Sequence, residues 1–168
     1  MSGRHTVIKW FEVNNNMPRA PFQVLVIPFF LTSSGNVEYA ILKRSDAGYW
    51  QFIAGGGEDD ETPLATAGRE AHEEAGISPD MQFFKLDSMA TVPANVFKGH
   101  ESWGKETYVI PEHCFAVEVE SRELVLSSEH DEYRWGDFKT ISEMLNWHSN
   151  KNALWELNQR IIRAKASR

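Results

Sequence analysis

The 168-residue sequence predicts an α/β protein, read as one domain over 1–168, and three observations carry that prediction. Runs rich in β-forming residues occupy 22–31 (FQVLVIPFFL) and 38–45 (EYAILKRS). The stretch 107–120 (TYVIPEHCFAVEVE) alternates as a strand does, and two segments, about 63–75 and about 151–165, carry helical signals. The length suits one sizeable core and is short for two typical domains.

Taken in order, the polar segment 14–21 (NNNMPRAP) reads as a connector, which puts the core at about 22–165 with its start near Phe22. The run 22–31 is too short for a membrane span and contains Pro28, so it reads as a buried strand. TSSGN, a turn-forming cluster, separates it from 38–45 and makes the pair a hairpin. YWQFIA and three glycines then lead to a helix at about 63–75. Thr62 is its N-cap, Pro63 takes the first helical position and Gly76 the left-handed C-terminal cap.

Residues 83–97 (FFKLDSMATVPANVF) read as strand, and 98–106 (KGHESWGKE) as a polar loop. In 107–120, Phe115, Val117 and Val119 share one face, with Glu118 and Glu120 on the other. A loop over 121–138 leads to a short helix opened by a capping box, Thr140 to Glu143. The last helix places Ala153, Leu154, Leu157 and Ile161 at helical spacing.

Composition narrows the function classes. A net charge of -7 argues against non-specific attraction to nucleic acid or an anionic membrane, so the expected partner is a small molecule. A polyanionic ligand stays compatible with that charge once metal cations neutralise the contact. Cys114 is the one cysteine, so no intrachain disulfide forms, which fits a reducing, cytoplasmic compartment. The N-terminal MSGRHTVIKWFEV lacks the apolar core of a signal peptide. The expected assembly is a monomer or homodimer.

The densest chemistry lies in 55–77, GGGEDDETPLATAGREAHEEAGI, where seven carboxylates face a single arginine, Arg69. On a helix over 63–75, Glu70 and Glu74 are four apart and Glu73 is three from Glu70, so all three project to one neighbourhood. Like charges at these spacings destabilise a bare helix by a few tenths of a kcal/mol per pair, roughly. Arg69 can pair with Glu73 one turn on, but one cation cannot neutralise the group. A hard divalent cation such as Mg²⁺, which takes oxygen ligands and completes its shell with substrate phosphates, can. Leu64, Ala67, Ala71 and Ala75 form the opposite face, whose small side chains allow close approach to a sheet. The preceding glycines let backbone come close to a ligand or a metal.

Across the whole stretch the spacing resembles the Nudix box, in which a glycine, five residues, Glu, seven residues and Arg-Glu precede an apolar residue, any residue, Glu-Glu, any residue, Gly and an apolar residue. Gly55, Glu61, Arg69, Glu70, Glu73, Glu74 and Gly76 match every fixed position and Ile77 the last apolar one, while Ala71 puts a small residue at the inner apolar position. At average residue usage such a match arises by chance about once in a million sequences of this length.

The resemblance implies the Nudix fold, an α/β/α sandwich around a mixed β-sheet. It also implies hydrolysis of a nucleoside diphosphate linked to another group, with Mg²⁺ or Mn²⁺ held by the box. Position by position, it makes Glu70, Glu73 and Glu74 metal ligands or the base for water, adds the Gly55 carbonyl as a ligand, and gives Arg69 and Glu61 orienting roles. KRSDAGYWQFIAGGGEDDET, with EHDEYRW at 129–135, is similar to the subgroup that hydrolyses dihydroneopterin triphosphate and dATP and releases pyrophosphate. There the glutamate before the histidine is an extra ligand or base, which maps to Glu129.

Other candidates carry two readings each. Tyr49, Trp50 and Phe52 could stack on a base or pterin, or pack in the core. Lys43 and Arg44 end a strand near the expected pocket, where they hold phosphates or face solvent. The loop with Trp103 and Lys105 is a candidate cover for the substrate. His72, His100, His113, His130 and His148 show no zinc spacing and read as structural or solvated.

The leading expectation is a metal-dependent pyrophosphohydrolase of nucleoside or pterin triphosphates. The alternatives are a dinucleoside polyphosphate or oxidised-nucleotide hydrolase, and a Nudix domain that senses a nucleotide without turnover.

Overall fold

A computed structural model describes residues 18–168. The N-terminal segment read for a signal peptide, and the first half of the predicted connector, lie outside the described residues. A mixed seven-stranded sheet forms the middle layer. Its strands are β1 (Arg19–Leu31), β2 (Val37–Arg44), β3 (Trp50–Gln51), β4 (Ile53–Glu58), β5 (Phe83–Pro93), β6 (Val109–Glu118) and β7 (His130–Gly136). Helix α1 (Pro63–Ala75) covers one face, while α2 (Phe138–Met144) and α3 (His148–Ala166) cover the other. This is the α/β/α sandwich expected above.

β1 is the central strand, parallel to β6 on one side and antiparallel to both β4 and β2 on the other. Its apolar run is continuous because both faces are covered: Val24 and Val26 pack toward α1, Leu25, Ile27 and Phe29 toward α3. Pro28 falls where that edge passes from β4, last paired at Val26, to β2, first paired at Phe29. A missing N–H is tolerated there because no ladder partner faces it. The strand begins at Arg19, three residues before the predicted start, with an irregularity in register between Arg19 and Gln23.

Helix α1 follows its sequence signals at both ends. The Thr62 side chain accepts from the Ala65 N–H at 3.2 Å, and Gly76 takes the left-handed conformation (φ 67) with its N–H turned back to the last carbonyls. Ala67, Ala71 and Ala75 are fully buried against the sheet, whereas Leu64, predicted on that face, is exposed in the first turn of the helix. In β6, Phe115 and Val117, with Val119 just beyond, share one face as predicted, and that face packs toward α1. Cys114 and Ala116 are also buried, on the α3 side. Burial pushes the Cys114 thiol up to about 12, which leaves it unreactive.

Two stretches correct the sequence reading. Residues 130–136, predicted as loop, form β7 on β2; Tyr133 and Trp135 turn inward while charged neighbours face out, an edge pattern with no apolar run to announce it. Helix α2 opens at Asp137, whose carboxylate accepts from the Thr140 N–H at 2.8 Å, so Thr140 lies inside the helix rather than at its cap. Helix α3 docks through Ala153, Leu154 and Leu157, each fully buried leucine contributing about 2 kcal/mol. No helix among the described residues is long and apolar enough to cross a membrane.

Candidate active site

Where β1, β4 and α1 meet, a cleft of about 520 Å³ opens, lined by Gly55, Gly56, Glu58, Glu70, Glu74 and Glu129, with Arg19, Gln23, Arg44, Tyr49, Gln51 and Phe97 around them. The helix periodicity that buries the alanines also turns Glu70 and Glu74 inward, at 9% and 4% exposure. Glu70 can enter only because residue 55 is a glycine. A Cβ there would stand 2.0 Å from the Glu70 carboxyl carbon. A Gly55→Ala variant should therefore fold with Glu70 displaced and lose at least about tenfold in turnover, ~1.4 kcal/mol. The rise in Tm on adding a divalent cation should shrink with it, and a rise equal to that of wild type would contradict this placement of Glu70.

Arg69 ties the helix to β4. Its Nε and Nη2 donate to the two Glu61 oxygens at 2.8 and 2.9 Å, and Nη2 also reaches the Gly56 carbonyl at 2.8 Å. Nη1 donates to Glu70 at 3.0 Å and Glu73 at 3.1 Å. Glu61 further accepts from the Thr66 hydroxyl and the Glu58 N–H. These bonds, those from Arg69 above all, hold the Glu61 carboxyl down to about 2, and Glu61 in turn raises the Arg69 pKa.

Glu70 behaves oppositely: burial pushes its carboxyl up to about 7, with Glu74 and Glu73 adding to the shift and Arg69 opposing it. Burial also raises Glu74, against the bond between its Oε2 and His130 Nε2 at 2.9 Å. The glutamates of the box thus divide. Glu73 is half-exposed, paired to Arg69 and outside the cleft lining, while Glu70 and Glu74 are buried within it.

The donor set fits a hard divalent cation. Ligand atoms of Glu74, Glu129 and His130 lie within 4.8 Å of one another, and the set is mainly carboxylate oxygen. A buried carboxyl such as Glu70, pushed up to about 7, can exchange its proton for a cation, which removes the penalty of burying bare charge.

Among the remaining candidates, Arg44 lines the cleft but is engaged, with Asp46 at 2.7 and 3.0 Å and Glu129 at 3.0 Å. Lys43 is bonded to Glu132 at 3.0 Å and does not line the cleft. Trp50 is turned to the α3-side core under Arg134, and its neighbours Tyr49 and Gln51 take the cleft side, because alternate residues face opposite ways. Phe52 is fully buried in that same core. Lys105 lies in a separate depression beside His100 and Tyr108.

Trp103 bonds the Arg19 carbonyl rather than covering the cleft. His130, read as structural or solvated, is buried on Glu74. Arg19, Gln23 and Phe97 went unnoticed, since no spacing rule links them to the box.

A two-sided sandwich with buried carboxylates along a polar cleft points to a class first, a hydrolase that works with a divalent cation. The NUDIX domain sequence model matches residues 25–156, and the chain belongs to the NUDIX family. A structure from Listeria monocytogenes str. 4b F2365, assigned as a NUDIX hydrolase, is similar at 43% identity and a TM-score of 0.77, over 86% of this chain and 97% of that one. Dihydroneopterin triphosphate diphosphatase from Haemophilus influenzae is 29% identical over 133 residues, 78% of this chain and 83% of the relative. The E. coli dihydroneopterin triphosphate pyrophosphohydrolase shares the fold, with a TM-score of 0.67 and 21% identity over 84% of this chain and 99% of that one. The activity of this chain is accordingly that of a Nudix pyrophosphohydrolase, cleaving pyrophosphate bonds in small-molecule phosphate substrates.

Proposed function

We propose that this chain hydrolyses a nucleoside or pterin triphosphate and releases pyrophosphate, with dihydroneopterin triphosphate as the leading substrate and Mg²⁺ as the leading ion. The observation that carries the subgroup is the convergence of Glu74, Glu129 and His130, which brings the Glu-His pair from β7 to the helix of the box. The 29% identity to the Haemophilus influenzae diphosphatase supports the same reading.

In this proposal Glu70, Glu74, Glu129 and the Gly55 carbonyl hold the cation, with Glu73 at its outer side. Arg69 and Glu61 fix the helix against β4 so that Glu70 keeps its place. When bound, a divalent cation stabilises charge on the phosphoryl oxygens and makes water more acidic. Glu74 accepts the proton of the attacking water, because it lines the cleft whereas Glu73 faces Arg69 and solvent. The same proposal takes 1–168 as one Nudix domain, since α3 closes the second face of the sheet.

The test is a substrate panel with Mg²⁺, scored for pyrophosphate and phosphate: dihydroneopterin triphosphate, the dNTPs, diadenosine tetraphosphate and nucleotide sugars. Dihydroneopterin triphosphate and dATP are expected to show the highest kcat/KM, with pyrophosphate as product. A preference of tenfold or more for diadenosine tetraphosphate would replace this reading with the dinucleoside polyphosphate one.

A further inference from the structure

Two arginines line the cleft, and their circumstances differ. Arg44 is neutralised by Asp46 and Glu129. Arg19 makes no ion pair with any described carboxylate. Its Nη2 donates to the Gln23 side-chain oxygen at 3.0 Å, and its Nε is buried without a partner among the described residues. A buried, unpaired donor on a cation is costly unless a ligand satisfies it.

The surroundings hold Arg19 in place without cancelling its charge. Its guanidinium carbon lies 4.4 Å from the centre of the Phe97 ring, a contact that orients a cation and leaves its edge free. The backbone is pinned as well, since Trp103 Nε1 donates to the Arg19 carbonyl at 2.6 Å. Gln23 Nε2 donates to Glu112 Oε2 at 3.1 Å, which turns the amide oxygen toward Arg19. Gln23 thus stands as a neutral spacer between the arginine and Glu112, a carboxyl only 4% exposed.

Gly56 completes the seat, because a Cβ there would stand 2.3 Å from the Arg19 guanidinium carbon. The second glycine of the run therefore admits Arg19 as the first admits Glu70. The two side chains enter one cleft from opposite sides, close enough for Glu70 to act electrostatically on Arg19.

We infer that Arg19 binds the polyphosphate of the substrate, facing the carboxylates of the helix across the cleft. The inference rests on the hydrolase reading above and adds a substrate-binding residue outside the box. A pre-oriented guanidinium matches phosphate oxygens in a fork, and the unpartnered Nε supplies one of its donors. It also places a cation against a ligand that a net negative protein would otherwise repel.

The test compares wild type with Arg19→Gln, Arg19→Lys and Gly56→Ala. KM and kcat are measured on the best substrate of the panel, and calorimetric Kd is measured for inorganic tripolyphosphate with Mg²⁺. Arg19→Gln should raise both KM and Kd at least tenfold while kcat moves less than threefold, and Arg19→Lys should recover part of the loss. Gly56→Ala keeps the arginine but displaces it, so it should raise both constants too and covers the case where Arg19→Gln does not fold. Unchanged KM and Kd in a folded Arg19→Gln variant would overturn the inference while leaving the hydrolase reading intact. Arg19-dependent tripolyphosphate binding by a wild type that turns over no substrate would do the reverse.

Discussion

A Glu74→Gln variant is expected to lose about a thousandfold in kcat, ~4 kcal/mol of transition-state stabilisation, with its fold intact. Fold and function separate here for a physical reason. Glu74 is 4% exposed and burial already disfavours its charged form, so a neutral isostere removes no favourable charge from the metal-free protein. The bond to His130 survives in the variant, since an amide offers both a donor and an acceptor at that position. What goes is a carboxylate able to hold a cation and accept a proton. Glu73→Gln should cost far less, on the order of tenfold, because Glu73 is half-exposed and outside the cleft lining. Steady-state kinetics with Mg²⁺, paired with thermal melts of both variants, would check the ordering. A Glu74→Gln rate within threefold of wild type would remove Glu74 from the proton-accepting role.

That division between neighbouring glutamates marks the limit of sequence reading. Much that local geometry governs was legible, namely the Thr62 cap, the Gly76 terminator and the buried alanine face, but the three glutamates read as one group opposite that face divide, with Glu70 and Glu74 turned inward and Glu73 left outside. Long-range placement was not. His130 meets Glu74 across 56 positions, and Arg19 meets Gly56 only because β1 pairs with β4. Trp50 shows how narrow the margin is, since strand alternation reserved the cleft for Tyr49 and Gln51 and sent Trp50 to the core. Lys43 and Arg44 sit where phosphate-binding cations were expected, yet both are occupied by carboxylates from β7 or the residue just before it, a region whose alternating charges gave no strand signal.

The glycine run is where the two kinds of information join. Its sequence announces close backbone approach without saying what approaches. The structure supplies the answer twice, with Glu70 over Gly55 and Arg19 over Gly56. Adjacent residues of an extended strand point to opposite faces, so two successive glycines bring a carboxyl and a guanidinium into one cleft from two sides of the same strand.

The carboxyl that α1 lays over that strand contributes to the pH dependence of stability. In chelator, the protein should become less stable as pH rises from about 4.5 to about 7, and Mg²⁺ should reverse the loss. Glu70 titrates at 4.5 in the unfolded chain and about 7 in the folded one. Between those values the folded state keeps a proton that the unfolded chain has released, so raising the pH favours unfolding. The full difference amounts to about 3 kcal/mol, present above the folded value and absent below the unfolded one. Glu74 shifts in the same direction. Glu61 works the other way and lower down: held to about 2 by Arg69, it adds stability above its unfolded 4.5 that is lost as pH falls toward 2. The two windows meet near pH 4.5, so the joint contribution of Glu70 and Glu61 to metal-free stability is greatest near there and declines on both sides. A cation that takes the place of the proton on Glu70 should therefore raise Tm more at pH 8 than at pH 5.5. Denaturant midpoints between pH 5 and pH 8.5, with EDTA and with Mg²⁺, measure the slope. In Glu70→Gln the EDTA slope should flatten and the Mg²⁺ response should shrink together. A slope as steep as that of wild type would show that another group carries it.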